Sequence, residues 1–155
     1  MNNSGLKFVT DVRVRYADTD QMKIVYYGKF FEYFEQGRSD LLRHIGMPYP
    51  ELEAMGIYLP VIEAGSKYKH SARYDDLLHV ETSLNEMPVA RVRIEYRVFR
   101  NEEKEPMAEG FTVHSFINAH TGKPTRAPMK FLEVLDAAFK KNKTKGSVDA
   151  KAGAA

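Results

Sequence analysis

The chain has 155 residues, 43% of them hydrophobic and 28% charged, and its 23 Lys and Arg against 21 Asp and Glu give a net charge of +2. That length and apolar fraction suit one domain around one core, and the near-balanced charge disfavours a protein built to neutralise a long phosphate backbone, while leaving room for a locally basic groove for a small anion. The absence of cysteine excludes disulfide frameworks, Cys-based zinc sites, iron–sulfur clusters and thiol nucleophiles.

No stretch approaches the roughly 20 apolar residues of a membrane span. The opening Met-Asn-Asn-Ser-Gly-Leu-Lys-Phe also lacks the apolar run of a secretory signal. A cytoplasmic protein is the expectation.

Residues 8–16 alternate, with Phe8, Thr10, Val12, Val14 and Tyr16 on one face and Asp11, Arg13 and Arg15 on the other, which predicts a strand with one buried face. From Tyr27 the period becomes helical: Phe30, Phe34, Gly37, Leu41 and Ile45 form a stripe that Phe31 and Leu42 widen. Gly37 inside that stripe predicts a close approach of other backbone, and Gly46 with Pro48 ends the helix. A short helix is predicted from Pro50 to Met55, stopping at Gly56.

Strands follow over 57–70, 78–87, 89–99 and 107–117. The third has the cleanest alternation, Val92, Ile94, Tyr96 and Val98 against Arg91, Arg93, Glu95 and Arg97. A polar hairpin connection falls at 101–106, and the run His120-Thr121-Gly122-Lys123-Pro124 closes the last strand. Pro128 opens a final amphipathic helix carrying Phe131, Leu135 and Phe139. The expected organisation is a single domain over 1–141 and a disordered tail over 142–155, whose Lys, Asn, Thr, Gly, Ser and Ala give it little to bury. One strand, one long apolar helix and four further strands in hairpin succession predict an α+β fold, an antiparallel sheet curled around a central helix.

Reactive polar groups concentrate in one segment, Tyr16-Ala-Asp-Thr-Asp-Gln-Met-Lys-Ile-Val-Tyr-Tyr-Gly-Lys-Phe-Phe, which leads from a strand end into the long helix. Unpaired N–H groups and the positive dipole end of a helix can hold a carbonyl oxygen as it becomes an oxyanion, and a nearby carboxylate can attack or activate water. Taken alone, an Asp-Thr-Asp loop is more often turn and capping chemistry.

The segment resembles the Tyr-x-Asp-Thr-Asp-x-x-Gly-x-Val-Tyr pattern of the 4-hydroxybenzoyl-CoA thioesterase branch of the hotdog superfamily. The resemblance covers about residues 8–140 and includes Glu35, Arg38, the run Ala72-Arg73-Tyr74-Asp75-Asp76, and Gly110 with the strand from Thr112 to His114. It implies a hotdog fold and hydrolysis of an acyl-CoA to a free acid and CoA, without a metal or redox cofactor. It also implies homodimers, often paired into homotetramers, with sites between subunits.

By the same resemblance Asp20 takes the catalytic position, as nucleophile or as general base toward water, and Asp18 organises the loop. The Tyr27 main-chain N–H would face the thioester oxygen, with its ring lining the acyl pocket; Tyr26 and Glu35 would be substrate-binding. Some relatives carry histidine at the position of Tyr27, so more of the proton transfer falls here on Asp20. Lys23 stands where the family usually has glycine. Either it takes a positive φ at roughly 1–2 kcal/mol of strain, or its ammonium favours the ionised form of Asp20.

Among the other polar residues, the five histidines show no metal-ligand spacing, and Ser66 lacks the second glycine of a nucleophile elbow. Arg91, Arg93 and Arg97, with Lys69 or Arg126, are the candidates for CoA phosphates, although alternate arginines on a strand most simply make its solvated face. Two other functions compete with hydrolysis. One is a noncatalytic module binding acyl-CoA or an acyl carrier. The other is a single-stranded nucleic-acid binder on the arginine strand, which the charge balance disfavours.

Overall fold

The structure is a computed structural model that describes the backbone of residues 5–153 and the side chains of residues 5–143. Five strands form one antiparallel sheet in the order β1-β4-β5-β6-β3: β1 (Leu6–Arg13), β3 (Val61–Tyr68), β4 (Leu77–Leu84), β5 (Arg91–Arg100) and β6 (Ala108–Ser115). Two short strands, β2 (Ile57–Tyr58) and β7 (Ile117–Asn118), pair as a separate ribbon. The helix α1 (Lys29–His44) lies on the inner face of the sheet against β1, β4 and β5, and α2 (Tyr49–Ala54) follows it.

Three details differ from the expected succession. Strands β4, β5 and β6 are joined by hairpins, but β3 pairs with β6 at the far edge, so the chain passes β6 and β5 between β3 and β4. The stretch over 57–70 is two strands, because Pro60, which has no N–H to give to a ladder, separates Tyr58 from Val61. Strand β1 also stops at Arg13. Tyr16 enters a single 3-10 turn (Tyr16–Asp18) and is 79% exposed, not on the buried face.

The alternation of β5 is realised residue by residue: Val92, Ile94, Tyr96 and Val98 are buried, and Arg91, Arg93, Glu95 and Arg97 point outward. On that outer face Arg97 donates to Glu81 at 3.0 and 2.8 Å, and the Arg93 guanidinium lies 4.0 Å over the Phe111 ring. Inside, Phe34 of α1 stacks on Tyr96 with ring centroids 4.4 Å apart, and both are almost fully buried. Burial of such a ring contributes about 1.5–3 kcal/mol.

Gly37 brings the helix down onto the sheet, where it meets side chains of β4 rather than the backbone that its place in the stripe suggested. A Cβ there would collide with Thr82 Oγ1 and sit 3.1 Å from Val80 Cγ1. Gly46, at φ +87°, turns the chain out of α1 before Pro48.

The last helix, α3 (Met129–Gly153), buries Phe131 and Leu135. Its backbone continues past Asn142, where composition alone suggested a loose tail. Asn142 is itself tied down, since its Nδ2 donates to Gly5 O at 2.9 Å. Side chains from 144 onward, and residues 154 and 155, lie outside the described residues. Among the described residues no helix is long and apolar enough to cross a membrane.

Candidate functional site

Between β1 and α1 the chain folds into a small hairpin. Thr19 bridges Val25, Asp20 N donates to Ile24 O at 2.9 Å, and Lys23 N donates to Asp20 O at 2.9 Å. A turn of this kind needs one residue in the left-handed region, normally glycine. Lys23 fills that place with φ +63°, so of the two consequences foreseen for Lys23 the positive φ is the one observed. No ion pair joins Lys23 to Asp20 among the described residues.

Asp18 anchors the hairpin from below. It is 6% exposed, and its Oδ2 accepts from Arg15 N at 3.0 Å and from Tyr33 Oη at 2.9 Å, while Lys29 Nζ lies 3.9 Å from Oδ1. Burial pushes the Tyr33 phenol up, and its hydrogen bond to Asp18 adds to the shift, so it stays a donor. The helical stripe alone gives Tyr33 no such role. The signal was available in principle, since a tyrosine in a buried stripe requires a partner for its hydroxyl.

Asp20, two residues further on, is half-buried, and the one hydrogen bond to its carboxylate among the described residues is from Met22 N to Oδ1 at 2.9 Å. The second carboxylate oxygen is therefore left without a partner there.

The other strand of the hairpin runs straight into α1. Tyr26 N donates to Asp18 O at 2.9 Å, and the first helical turn closes by Lys29 N to Tyr26 O, Phe30 N to Tyr27 O and Phe31 N to Gly28 O at 2.9, 3.2 and 3.3 Å. The N–H groups of Tyr27 and Gly28 precede these bonds and find no acceptor among the described residues. Tyr68 of β3 donates its hydroxyl to Tyr27 O at 3.0 Å, fixing that peptide from the neighbouring edge of the sheet.

The rings of Tyr26 and Tyr27 lie 4.7 Å apart and are 47% and 61% exposed. The hydrogen bond and charge of the Tyr27 phenol push the Tyr26 phenol up. Glu35 stands further along the helix, about 12 Å of axis beyond Tyr27 at 1.5 Å per residue. It is exposed and accepts from Ser39 Oγ at 3.2 Å. In one chain, then, Asp20, Tyr26 and Tyr27 share the hairpin and helix start, whereas Glu35 lies apart on the helix surface.

Beneath this surface runs a buried polar chain that sequence reasoning did not assemble. Arg38 Nε donates to Tyr49 Oη at 3.1 Å, and its charge lies close enough to the Tyr96 hydroxyl to act on it. Tyr96 Oη is 2.7 Å from Thr112 Oγ1, which is 2.8 Å from His114 Nε2, and His114 Nδ1 is 3.1 Å from Leu59 O. The members come from α1, α2, β5 and β6, so no local pattern in the sequence reveals them.

An antiparallel sheet wrapped on one long helix, with a carboxylate hairpin at the N-terminus of that helix, defines a hotdog-fold protein of the thioesterase kind. The chain belongs to the thioesterase-like superfamily, whose family model matches residues 14–139. It is similar to the acyl-CoA thioesterase YbgC of Haemophilus influenzae, with 34% identity over 102 residues, 65% of this chain and 74% of that one. Among solved structures it resembles the hypothetical protein TT1821 of Thermus thermophilus, at 35% identity and TM-score 0.77 over 84% of this chain and 98% of that chain. It also resembles the DHNA-CoA thioesterase of Staphylococcus aureus, at 28% identity and TM-score 0.73 over 95% of both chains.

Proposed function

We propose that the protein hydrolyses the thioester of an acyl-CoA to a free carboxylic acid and CoA, in the cytoplasm, with Asp20 and the Tyr27 main chain at the reacting carbon. The observation that carries this reading is a half-free Asp20 carboxylate on a short hairpin that runs directly into a helix start whose Tyr27 and Gly28 N–H groups are unbonded among the described residues. Membership of the superfamily and the name of the YbgC relative support it.

In this reading the thioester oxygen lies at the Tyr27 N–H, where negative charge develops as the carbonyl carbon becomes tetrahedral. Acting as base, Asp20 takes a proton from water while the water oxygen bonds the carbon; the C–S bond then breaks and the thiolate of CoA leaves. Acting as nucleophile, its oxygen bonds the carbon directly, CoA leaves, and water hydrolyses the resulting anhydride. A thioester is activated enough that an oriented carboxylate and one oxyanion donor suffice.

Tyr26 and Glu35 would contact the acyl group once a second copy closes the site. Among the described residues strand β3 pairs on one side alone, and Val61, Ile62 and Tyr68 on it, with Tyr58, Tyr26 and Tyr27 nearby, are each at least 40% exposed. An open edge flanked by apolar side chains suits a partner copy, and a homodimer or homotetramer is the proposed assembly. Light scattering that finds monomer alone at working concentration counts against it.

The test of the chemistry is turnover of an acyl-CoA panel by wild type and Asp20→Asn. Loss of a proton-transferring or attacking carboxylate costs about 10²–10⁴-fold in kcat, with circular dichroism unchanged. Equal rates would remove Asp20 from the mechanism.

A further inference from the structure

We propose that the rim of cations and aromatic rings around the Asp20 hairpin binds the nucleotide end of the CoA thioester, its adenine and its phosphates. The proposal rests on the acyl-CoA reading above and names the residues that take the part of the substrate furthest from the reaction.

Three segments meet at this end of the sheet. Val14 N donates to Asp76 O at 2.9 Å, Asp75 N to Val14 O at 3.0 Å, and Val25 N to Ala72 O at 2.8 Å. The loop between β3 and β4 is thereby fastened both to the end of β1 and to the hairpin carrying Asp20. These bonds place Arg13, Arg15, Lys23 and Arg73, all of them exposed, on neighbouring segments at this end of the sheet.

None of the four has an acid partner among the described residues. Elsewhere on the sheet Arg93 pairs with Glu95, Arg97 with Glu81, Arg100 with Glu103 and Lys69 with Glu109, whereas Arg91 and Lys67 have no ion-pair partner among the described residues. The rim holds acids too, Asp75 and Asp76 beside Asp20. The Asp76 carboxylate is occupied by Arg73 N at 2.8 Å and Asn101 Nδ2 at 3.3 Å. Arg13 is held in place through a carbonyl, with its Nη1 donating to Asp75 O at 2.8 Å, which leaves its charge unneutralised.

Aromatic surface stands among these cations. Tyr16 and Tyr74 meet edge to face with centroids 5.8 Å apart while remaining 79% and 59% exposed, and Met22 is 71% exposed. A purine needs a flat apolar face and phosphates need guanidinium forks; this surface offers both, on the loops that carry the proposed catalytic carboxylate.

The rival arginines lie at the other end. Arg91 and Arg93 line a groove of about 260 Å³ with residues from Asn85 to Pro88. In the β1–β4 register Arg13 faces Leu77 and Leu6 faces Leu84, so this groove, just beyond Leu84, stands about 23 Å along the strand from the rim at 3.3 Å per residue.

The experiment pairs a binding probe with two substrates. Adenosine 3′,5′-bisphosphate is titrated calorimetrically into the full chain, and kcat/KM is measured for an acyl-CoA and for the acyl-pantetheine with the same acyl group, which lacks the nucleotide. Wild type is expected to bind the probe, more weakly as salt rises. Arg15→Ala with Arg73→Ala weakens that binding at least tenfold, Tyr74→Ala severalfold. In the double variant kcat/KM for acyl-CoA falls at least tenfold further than for acyl-pantetheine, and the difference lies in KM. Unaltered probe binding in the double variant, equal losses on both substrates, or a loss produced instead by Arg91→Ala overturns the assignment. A wild type that hydrolyses neither thioester yet binds the probe through Arg15 and Arg73 refutes the hydrolase reading and leaves the rim standing.

Discussion

Tyr33 Oη donates to Asp18 Oδ2 across 2.9 Å inside the protein, so the base of the hairpin that carries Asp20 is fastened to the second turn of α1. Tyr33→Phe keeps the ring and removes the donor. A buried carboxylate that loses one of its hydrogen bonds costs about 1–3 kcal/mol. The unfolding free energy from urea titration should fall by that amount, and kcat should fall with it as the hairpin loosens. An unchanged midpoint together with an unchanged kcat would show that Arg15 N and Lys29 suffice to hold Asp18.

Lys23 is expected to be more strained than a glycine would be. At φ +63° an L-residue carries roughly 1–2 kcal/mol of strain, against which glycine loses about 0.5–1 kcal/mol in backbone entropy. Lys23→Gly should therefore raise stability by up to about 1 kcal/mol, read as an increase in the urea midpoint at constant slope. A clear decrease would mean that the lysine side chain makes a stabilising contact in solution.

The tight seat of α1 gives a paired prediction. Gly37→Ala forces a methyl group against Thr82 Oγ1 and Val80, and overpacking of this kind costs about 1–3 kcal/mol. The Thr82 hydroxyl is buried without a hydrogen-bond partner among the described residues, so Thr82→Ala removes both the obstacle and an unsatisfied group. The double variant should be more stable than the sum of the single changes allows, with a coupling of at least 0.5 kcal/mol in a thermal-denaturation cycle. Strict additivity would mean that the helix yields rather than the threonine.

What the sequence revealed and what it hid divide along the range of the interactions. The period of two in β5 and the helical stripe of α1 are local, and Val92, Ile94, Tyr96 and Val98 and then Phe30, Phe34, Gly37 and Leu41 are all buried as that pattern requires. Gly37 was legible because a glycine in an apolar stripe has few other reasons to be there. The edge position of β3 was not, because its partner β6 lies more than forty residues away and no turn sets their register. Tyr16 was misassigned because alternation says nothing about where a strand stops, and the carboxylate of Asp18 ends β1 by capping a 3-10 turn. At the site, the hairpin and the helix start are contiguous in sequence and could be read together. The Asp18–Tyr33 bond and the Arg38 chain depend on packing between elements, which residue spacing does not encode.

His114 should make the protein acid-sensitive, and the direction follows from its bonds. Leu59 O can only accept, so His114 Nδ1 carries the proton and Nε2 accepts from the Thr112 hydroxyl; Thr112, its one proton so committed, accepts in turn from Tyr96. Protonating Nε2 would set a donor against that chain and a second cation near Arg38. Burial pushes the His114 pKa down from 6.5 to about 4, with Arg38 adding to the shift. Because the unfolded chain then binds a proton that the folded chain refuses, the stability from neutral His114 is complete above about pH 6.5 and is lost as pH falls toward 4, reaching about 3 kcal/mol in all. Between pH 7 and pH 5 the loss should be about 2 kcal/mol. His114→Gln, which does not titrate, should be less stable at pH 7 yet show a pH dependence flatter by about that amount. Parallel curves for the two proteins would mean that His114 takes up its proton in the folded state as readily as in the unfolded one.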